Sequence, residues 1–274
     1  MMAKIPEKKE LLVQAAIEDR EIKSDLRAYL GMSILGKDCP RELWYSFRIC
    51  AQEIIKPRQK RLFARGHNEE PIIIADMMAA DLHVHSDQLE CVDETGHIKG
   101  HIDGIAENVP DAPKTPHLLE MKTANDKNFK ELVKQGLEKK FPVYYAQMIL
   151  YMHKLKLKRG LFVATNKNDD SRYYERVYPN NQKAKELLVR GVDIISSEVP
   201  PAKIGSATHY KCKWCKYYDI CHFNGAVLKT CRSCSYCDLC NDGVWSCSRY
   251  SNLQLAFEQQ LLACDNYDLM ESLR

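Results

Sequence analysis

Long apolar runs are missing. No stretch of the 274 residues approaches the ~20 apolar residues that a membrane helix needs, so no membrane partner is expected. The start, residues 1–9, carries charges with no apolar core behind it, and no secretory signal is read there. A cytoplasmic location is the expectation. A surplus of one charge is missing too. The net charge is only +3, so the chain is no global polycation and any nucleic-acid surface must be local. The length suits one large domain, or one domain plus a small appendage.

Cysteine is abundant instead. A reducing cytosol disfavours disulfides, so twelve cysteines point to metal. Cys39, Cys50 and Cys91 are scattered, eight lie between Cys212 and Cys247, and Cys264 stands alone. Cys50 follows Leu43, Trp44, Phe47 and Ile49 on an apolar segment and reads as a buried core thiol.

The stretch with the clearest chemistry is 100–123. Gly100-His101-Ile102-Asp103-Gly104 closes one short apolar run, and Leu118-Leu119 leads into Glu120-Met121-Lys122. Strand side chains alternate faces, so Glu120 and Lys122 point the same way. If the two runs pair as neighbouring strands, two carboxylates and one ammonium meet. Paired carboxylates suit Mg²⁺ or Mn²⁺, which can activate water and neutralise a scissile phosphate. The lysine can orient that water or help deprotonate it.

An Asp, a spacer and Glu-x-Lys resemble the signature of the PD-(D/E)xK nuclease superfamily, matched by Asp103, Glu120 and Lys122. In that superfamily a helix ahead of the strands begins with a glycine and supplies a further metal-site residue one turn later. Gly66 and Glu70 fit that place, with His67 as an alternative. The RecB-like branch carries Gln-x-x-x-Tyr on the helix after Glu-x-Lys, beside the active site and against DNA. Gln147 and Tyr151, four apart and so on one helix face, match it in order and distance. Four motifs in the correct order are much harder to obtain by chance than one.

The surrounding elements read coarsely. Residues 8–30 suggest a charged helix with Leu11, Leu12, Ala15, Ala16 and Ile22 at helical spacing. Pro40 suits a first helical turn. Lys56, Arg58, Lys60, Arg61 and Arg65 form a basic run, read as a solvated face or a phosphate contact. Residues 82–106 read as strands with a turn at 93–96, in which His83 and His85 are surface histidines and His101 shares the Asp103 face. A helix from about 127 to 137, another opened by Pro142, strands at 160–165 and 173–178 and a helix over 180–197 complete the core.

Cys212-x2-Cys215-x5-Cys221 leaves two readings: zinc completed by His209 or His222, or a cluster completed by a distant cysteine. Here the chain resembles the iron–sulfur subset of the same branch, the CRISPR adaptation nucleases and AddB-type recombination nucleases. There, one early cysteine and a late Cys-x2-Cys-x5-Cys bracket the nuclease. The resemblance implies a [4Fe–4S] cluster on Cys39, Cys212, Cys215 and Cys221. Such a cross-link closes a long loop and acts as a staple. Lys211, Lys213, Lys216 and Trp214 nearby could meet single-stranded DNA by charge and stacking.

The last cysteines also allow two readings. One is a zinc-ribbon-like module on Cys231, Cys234, Cys247 and Cys264, resembling an appendage of phage-type nucleases. The other is a metal on the evenly spaced Cys231, Cys234, Cys237 and Cys240. The expected architecture is α/β, a mixed PD-(D/E)xK sheet flanked by helices over residues 1–225, with a cysteine-rich module over 226–274. The function implied is a Mg²⁺- or Mn²⁺-dependent DNA exonuclease of recombination, repair or phage DNA metabolism. It would act on single strands or duplex ends, with a recombination or helicase partner in prospect. The alternatives are a CRISPR adaptation nuclease that trims spacers and a non-catalytic DNA-binding scaffold.

Overall fold

The computed structural model describes residues 7–20, 22–110 and 112–274. The reading of residues 1–6, and of the Leu11 side chain, lies outside it. Helix α1 (Glu7–Glu18) stops well short of residue 30. Ile22 and Lys23 of β1 (Ile22–Lys23) pair antiparallel with Ile55 and Ile54, while Leu12, Val13 and Ile17 stay exposed. A helix whose apolar side chains find no cover gains little by continuing. After β2 (Leu30–Gly31), α2 (Pro40–Phe47) opens on Pro40 as expected, and Cys39 Sγ caps it by accepting from Glu42 N at 3.4 Å. Cys50 is fully buried, as read.

Beyond β3 (Ile54–Ile55) runs α3 (Pro57–Ala79), a single helix of 23 residues. The sequence reading placed a helix start at Gly66. Pro57 starts it instead, since a proline's fixed φ and missing N–H suit the first turn. The helix continues through Gly66 and through Pro71, which removes one helical hydrogen bond. Four of the five basic residues, all but Lys56, thereby lie on the helix. Arg61 pairs with Glu18 of α1, and Arg65 donates to Lys167 O at 2.6 Å.

Next come β4 (His83–His85), β5 (Glu90–Val92), β6 (Ile98–His101), β7 (Gly104–Glu107) and β8 (His117–Ala124). Helices α4 (Asp126–Gln135), α5 (Leu137–Lys140) and α6 (Pro142–Leu155) follow, then β9 (Gly160–Asn166), β10 (Arg172–Val177) and α7 (Asn181–Ser196). Five strands make a mixed sheet in the order β10-β9-β8-β7-β4, with β8 and β9 parallel and the other pairs antiparallel. Strands β2, β6 and β5 form a smaller sheet. Helices cover both faces of the central strand. Leu118 joins Met148, Ile149 and Phe162 in one apolar cluster, whereas Leu119 and Met121 join Ile73 and Met77 in another. Burying each such side chain contributes about 1.5–3 kcal/mol.

The remaining chain holds α8 (Tyr218–Phe223), β11 (Cys237–Leu239), β12 (Trp245–Cys247), β13 (Leu253–Gln254) and α9 (Phe257–Gln260), its strands forming an antiparallel three-stranded sheet. Trp245 is fully buried, 5.1 Å from the Phe47 ring and 5.7 Å from the His97 ring, centroid to centroid. His97 Nε2 donates to Cys240 O at 2.7 Å. Residues after 226 therefore share their apolar core with α2 and β6. No helix among the described residues is long and apolar enough to cross a membrane.

One seam of this docking is backbone against backbone. Gly243 N donates to Thr95 O at 2.9 Å, and a Cβ on Gly96 (φ +72°) would lie 2.5 Å from Gly243 N. Gly96→Ala combines a left-handed conformation with that overlap. It should lower unfolding free energy by about 1–3 kcal/mol, read from urea denaturation.

Candidate active site and cysteine pockets

The register of β7 and β8 places Gly104 opposite Leu119, so Asp103 arrives beside the Glu120-Met121 step. Met121 N donates to Asp103 Oδ2 at 2.7 Å, fixing that carboxylate. Strand alternation turns Glu120 and Lys122 to the face shared with Leu118. Lys122 Nζ forms ion pairs with Glu120 Oε1 and, at 3.6 Å, with Asp103 Oδ2. Glu120 is fully buried, and neither of its oxygens accepts a hydrogen bond of sound geometry.

The electrostatics follow from this crowding. Burial pushes the Glu120 carboxyl up to about 7. The Lys122 ammonium opposes the rise, and Asp103 and Glu70 add to it. Burial pulls Lys122 down, but the carboxylates of Glu120 and Asp103 outweigh it and hold the amine above its ordinary value. Lys122 is therefore a fixed cation here rather than a free base. Glu70 is raised by burial and then by the charge of Asp103, which puts it in the same cluster, and its Oε1 lies 3.5 Å from His67 Nδ1.

Helix α6 lies on the Lys122 side. Gln147 is buried, and Tyr151 is 1% exposed. Tyr151 packs against Gly100, where a Cβ would lie 2.4 Å from its Oη. Burial first, and then the charge of Glu120, raises the phenol. As folded, Tyr151 is a floor beneath the carboxylates rather than an exposed strand contact. Tyr144 was not singled out from sequence, yet its ring centroid lies 5.5 Å from Lys122 Nζ. Its place three residues before Gln147, on the same helix face, was the available signal. His101 Nε2 lies 3.8 Å from Glu90 Oε1, and His83 and His85 are exposed, as read.

No three His, Cys, Asp or Glu side chains among the described residues converge on one point at metal-ligand distance. The donors nevertheless suit a cation. A buried carboxylate whose oxygens meet only the Lys122 ammonium among the described residues stands beside Asp103 and Glu70, an all-oxygen set of the kind hard divalent ions prefer.

The cysteines fall into two cavities. Cys39, Cys212, Cys215 and Cys221 line one of about 330 Å³, with His222 also in its wall. Cys231, Cys234, Cys237, Cys247 and Cys264 line another of about 20 Å³. The first is far larger than a single ion needs, and the second holds about one water-sized occupant. Cys240 lies outside both, with Sγ 3.2 Å from Ser246 Oγ. That placement favours Cys247 and Cys264, not the evenly spaced run, as companions of Cys231 and Cys234.

No family model and no curated protein matches the chain. Among solved structures, the alkaline exonuclease LHK-Exo of Laribacter hongkongensis superposes with a TM-score of 0.46 at 18% identity, over 62% of this chain and 87% of that one. Its complex with dAMP gives a TM-score of 0.47 at the same identity and coverage. A phage-related exonuclease from Haemophilus somnus 129PT gives 0.35 at 13% identity, over 48% of this chain and 68% of that one.

Glu120 keeps its proton in the fold over a pH range where the unfolded chain has lost it. Its contribution therefore makes the metal-free protein less stable as pH rises from about 4.5 through about 7, by about 1.4 kcal/mol per unit at most. Glu120→Gln should flatten that slope in urea denaturation. Mn²⁺ at a hundred times its dissociation constant should restore about 2.7 kcal/mol, and Asp103→Asn should remove the gain.

Proposed function

We propose that the chain is a divalent-metal-dependent DNA exonuclease of the PD-(D/E)xK type. The observation that carries this reading is the meeting of Asp103, Glu120 and Lys122, with a fully buried carboxylate at its centre whose oxygens meet only the Lys122 ammonium among the described residues. Asp103 and Glu120 would hold Mg²⁺ or Mn²⁺, with Glu70 as a third carboxylate. The bound ion supplies charge neutralisation at phosphate and activation of water. Lys122, kept as an ammonium, positions the nucleophilic water or a phosphate oxygen by charge. Tyr144 borders that ammonium. Gln147 and Tyr151 set the shape of the wall behind it.

A second feature supports a single-stranded substrate. Trp214 is 92% exposed and Tyr210 is also exposed, and they flank Lys211 and Lys213 on a short segment. Aromatic faces next to cations stack bases and hold phosphates without reading sequence.

The large cysteine cavity fits a [4Fe–4S] cluster on Cys39, Cys212, Cys215 and Cys221. Arg41 and Lys203 stand in its wall as cations toward an anionic group, whereas Lys37 and Lys211 there already pair with Glu42 and Asp38. Protein purified without oxygen should contain iron and acid-labile sulfide in equal amounts, and Cys212→Ser should lose both. Zinc in place of iron at this site would overturn the assignment.

The activity is tested on end-labelled single-stranded DNA with Mn²⁺. The parent should shorten the strand progressively, and Lys122→Ala, which removes a positioned charge, should be slower by about 10²–10³-fold. Equal cleavage by both proteins would place the chemistry elsewhere. Binding without cleavage by either would leave a DNA-binding scaffold.

A further inference from the structure

Gly66 is a glycine that its own helix does not need. It lies inside α3 rather than at its start, and the left-handed glycines among the described residues are Gly96, Gly136 and Gly243. Glycine weakens a helix relative to alanine. Packing does not demand it either. A Cβ at Gly66 would meet one atom, Thr123 Oγ1, at 3.8 Å, which is an ordinary contact. Thr123 follows Lys122 on β8, so this bare patch of helix lies beside the strand that carries the carboxylate cluster.

The patch has a neighbour at each end. Phe63, Gly66 and Glu70 stand at i, i+3 and i+7, on one face of the helix. Glu70 belongs to the cluster, close enough for the charge of Asp103 to act on it. Phe63 stands two turns earlier, about 11 Å along the axis. It is 48% exposed and packs against neither apolar cluster. Nor does it face α1. Arg61 holds Glu18 of α1, and two residues at about 100° each turn Phe63 to the far side of the helix. An uncovered aromatic ring, a gap and a carboxylate of the cluster thus lie in line.

We propose that Phe63 stacks on a base of the DNA strand beside the cleavage point, and that Gly66 is kept bare so that the sugar-phosphate of that nucleotide can cross α3 between Phe63 and Glu70. The subsite depends on the nuclease reading of the carboxylate cluster. With a phosphodiester held at Asp103 and Glu120, the flanking nucleotide lies over Gly66 and its base reaches toward Phe63. A side chain at position 66 would stand in its path. Every base has a π-face, so the contact holds a strand end without selecting its sequence, as progressive shortening requires. Phe63 touches no reacting atom, and its part is to position the strand.

The test uses the full chain. Affinity for a labelled single-stranded oligonucleotide is measured in Ca²⁺, and cleavage is measured separately in Mn²⁺. Phe63→Ala should bind about tenfold more weakly than the parent, and Phe63→Trp should bind at least as well. The comparison is repeated on oligonucleotides with one abasic nucleotide, moved through the terminal positions of each end. At one position Phe63→Ala should lose nothing, whereas a ring that merely supported the fold would lose equally at all of them. Gly66→Leu should resist urea at least as well as the parent while binding several-fold more weakly. Parental affinity in Phe63→Ala, an equal loss on every abasic strand, or parental affinity in Gly66→Leu would overturn the subsite. A parent that binds with this abasic pattern but does not cleave would overturn the nuclease reading and keep the stacking site.

Discussion

The carboxylate of Glu120 is out of water in the middle of the central strand, and the surrounding structure is arranged to keep it there. Leu119 and Met121 on either side of it face one helical layer, and Leu118 faces the other. Antiparallel pairing with β7 then delivers a second carboxylate, Asp103, anchored by a backbone N–H of the same strand. Two acids so close repel each other, and the only positive charge the strand itself supplies is Lys122, two residues on. An ion pair taken from water seldom repays its own desolvation. Such a cluster is poor as a device for stability and well suited to receiving a cation.

Most of this was legible because strands have a period of two. Asp103 near Glu-x-Lys needed only the pairing of two short runs. The mixed sheet followed from apolar segments separated by helical ones, and Pro40 and Pro142 marked helix starts through their fixed backbone angle. Other features could not be read locally. The start of α3 was masked because Gly66 looks like a boundary, whereas Pro57 had already set the first turn and packing carried the helix past Pro71. The early end of α1 depended on β3, which arrives later in the chain. Tyr144 became visible only when Lys122 was placed against α6, and the burial of Tyr151 only when Gly100 closed over it.

The two cysteine groups show what spacing leaves open. Cys-x2-Cys is the same string in both, yet one pair borders a cavity of about 330 Å³ and the other a cavity of about 20 Å³. The difference comes from the partners. Cys39 reaches the first from far earlier in the sequence, at the cap of α2, while Cys247 comes to the second from β12 and Cys264 from the loop after α9. Even spacing in sequence would have grouped Cys240 with Cys237. Strand pairing separates them, turning Cys240 toward Ser246.

Helix α2 lies between these two regions, and its supports come late in the chain. Arg41 donates to Pro201 O, Trp44 to Ser197 O, and Phe47 O accepts from Arg232. Cys39 at its cap shares a cavity with three cysteines beyond position 211. From the first half of the chain the helix meets β2 and the His97 ring, while its hydrogen bonds to distant segments run to residues 197 and beyond. During synthesis Phe47 lacks its Arg232 and Trp245 partners until nearly the last residues emerge. Contacts so distant in sequence close slowly. The carboxylate strand can therefore form well before the segment that locks the molecule, and a chain cut short anywhere before Arg232 would carry the carboxylates without the anchor at Phe47.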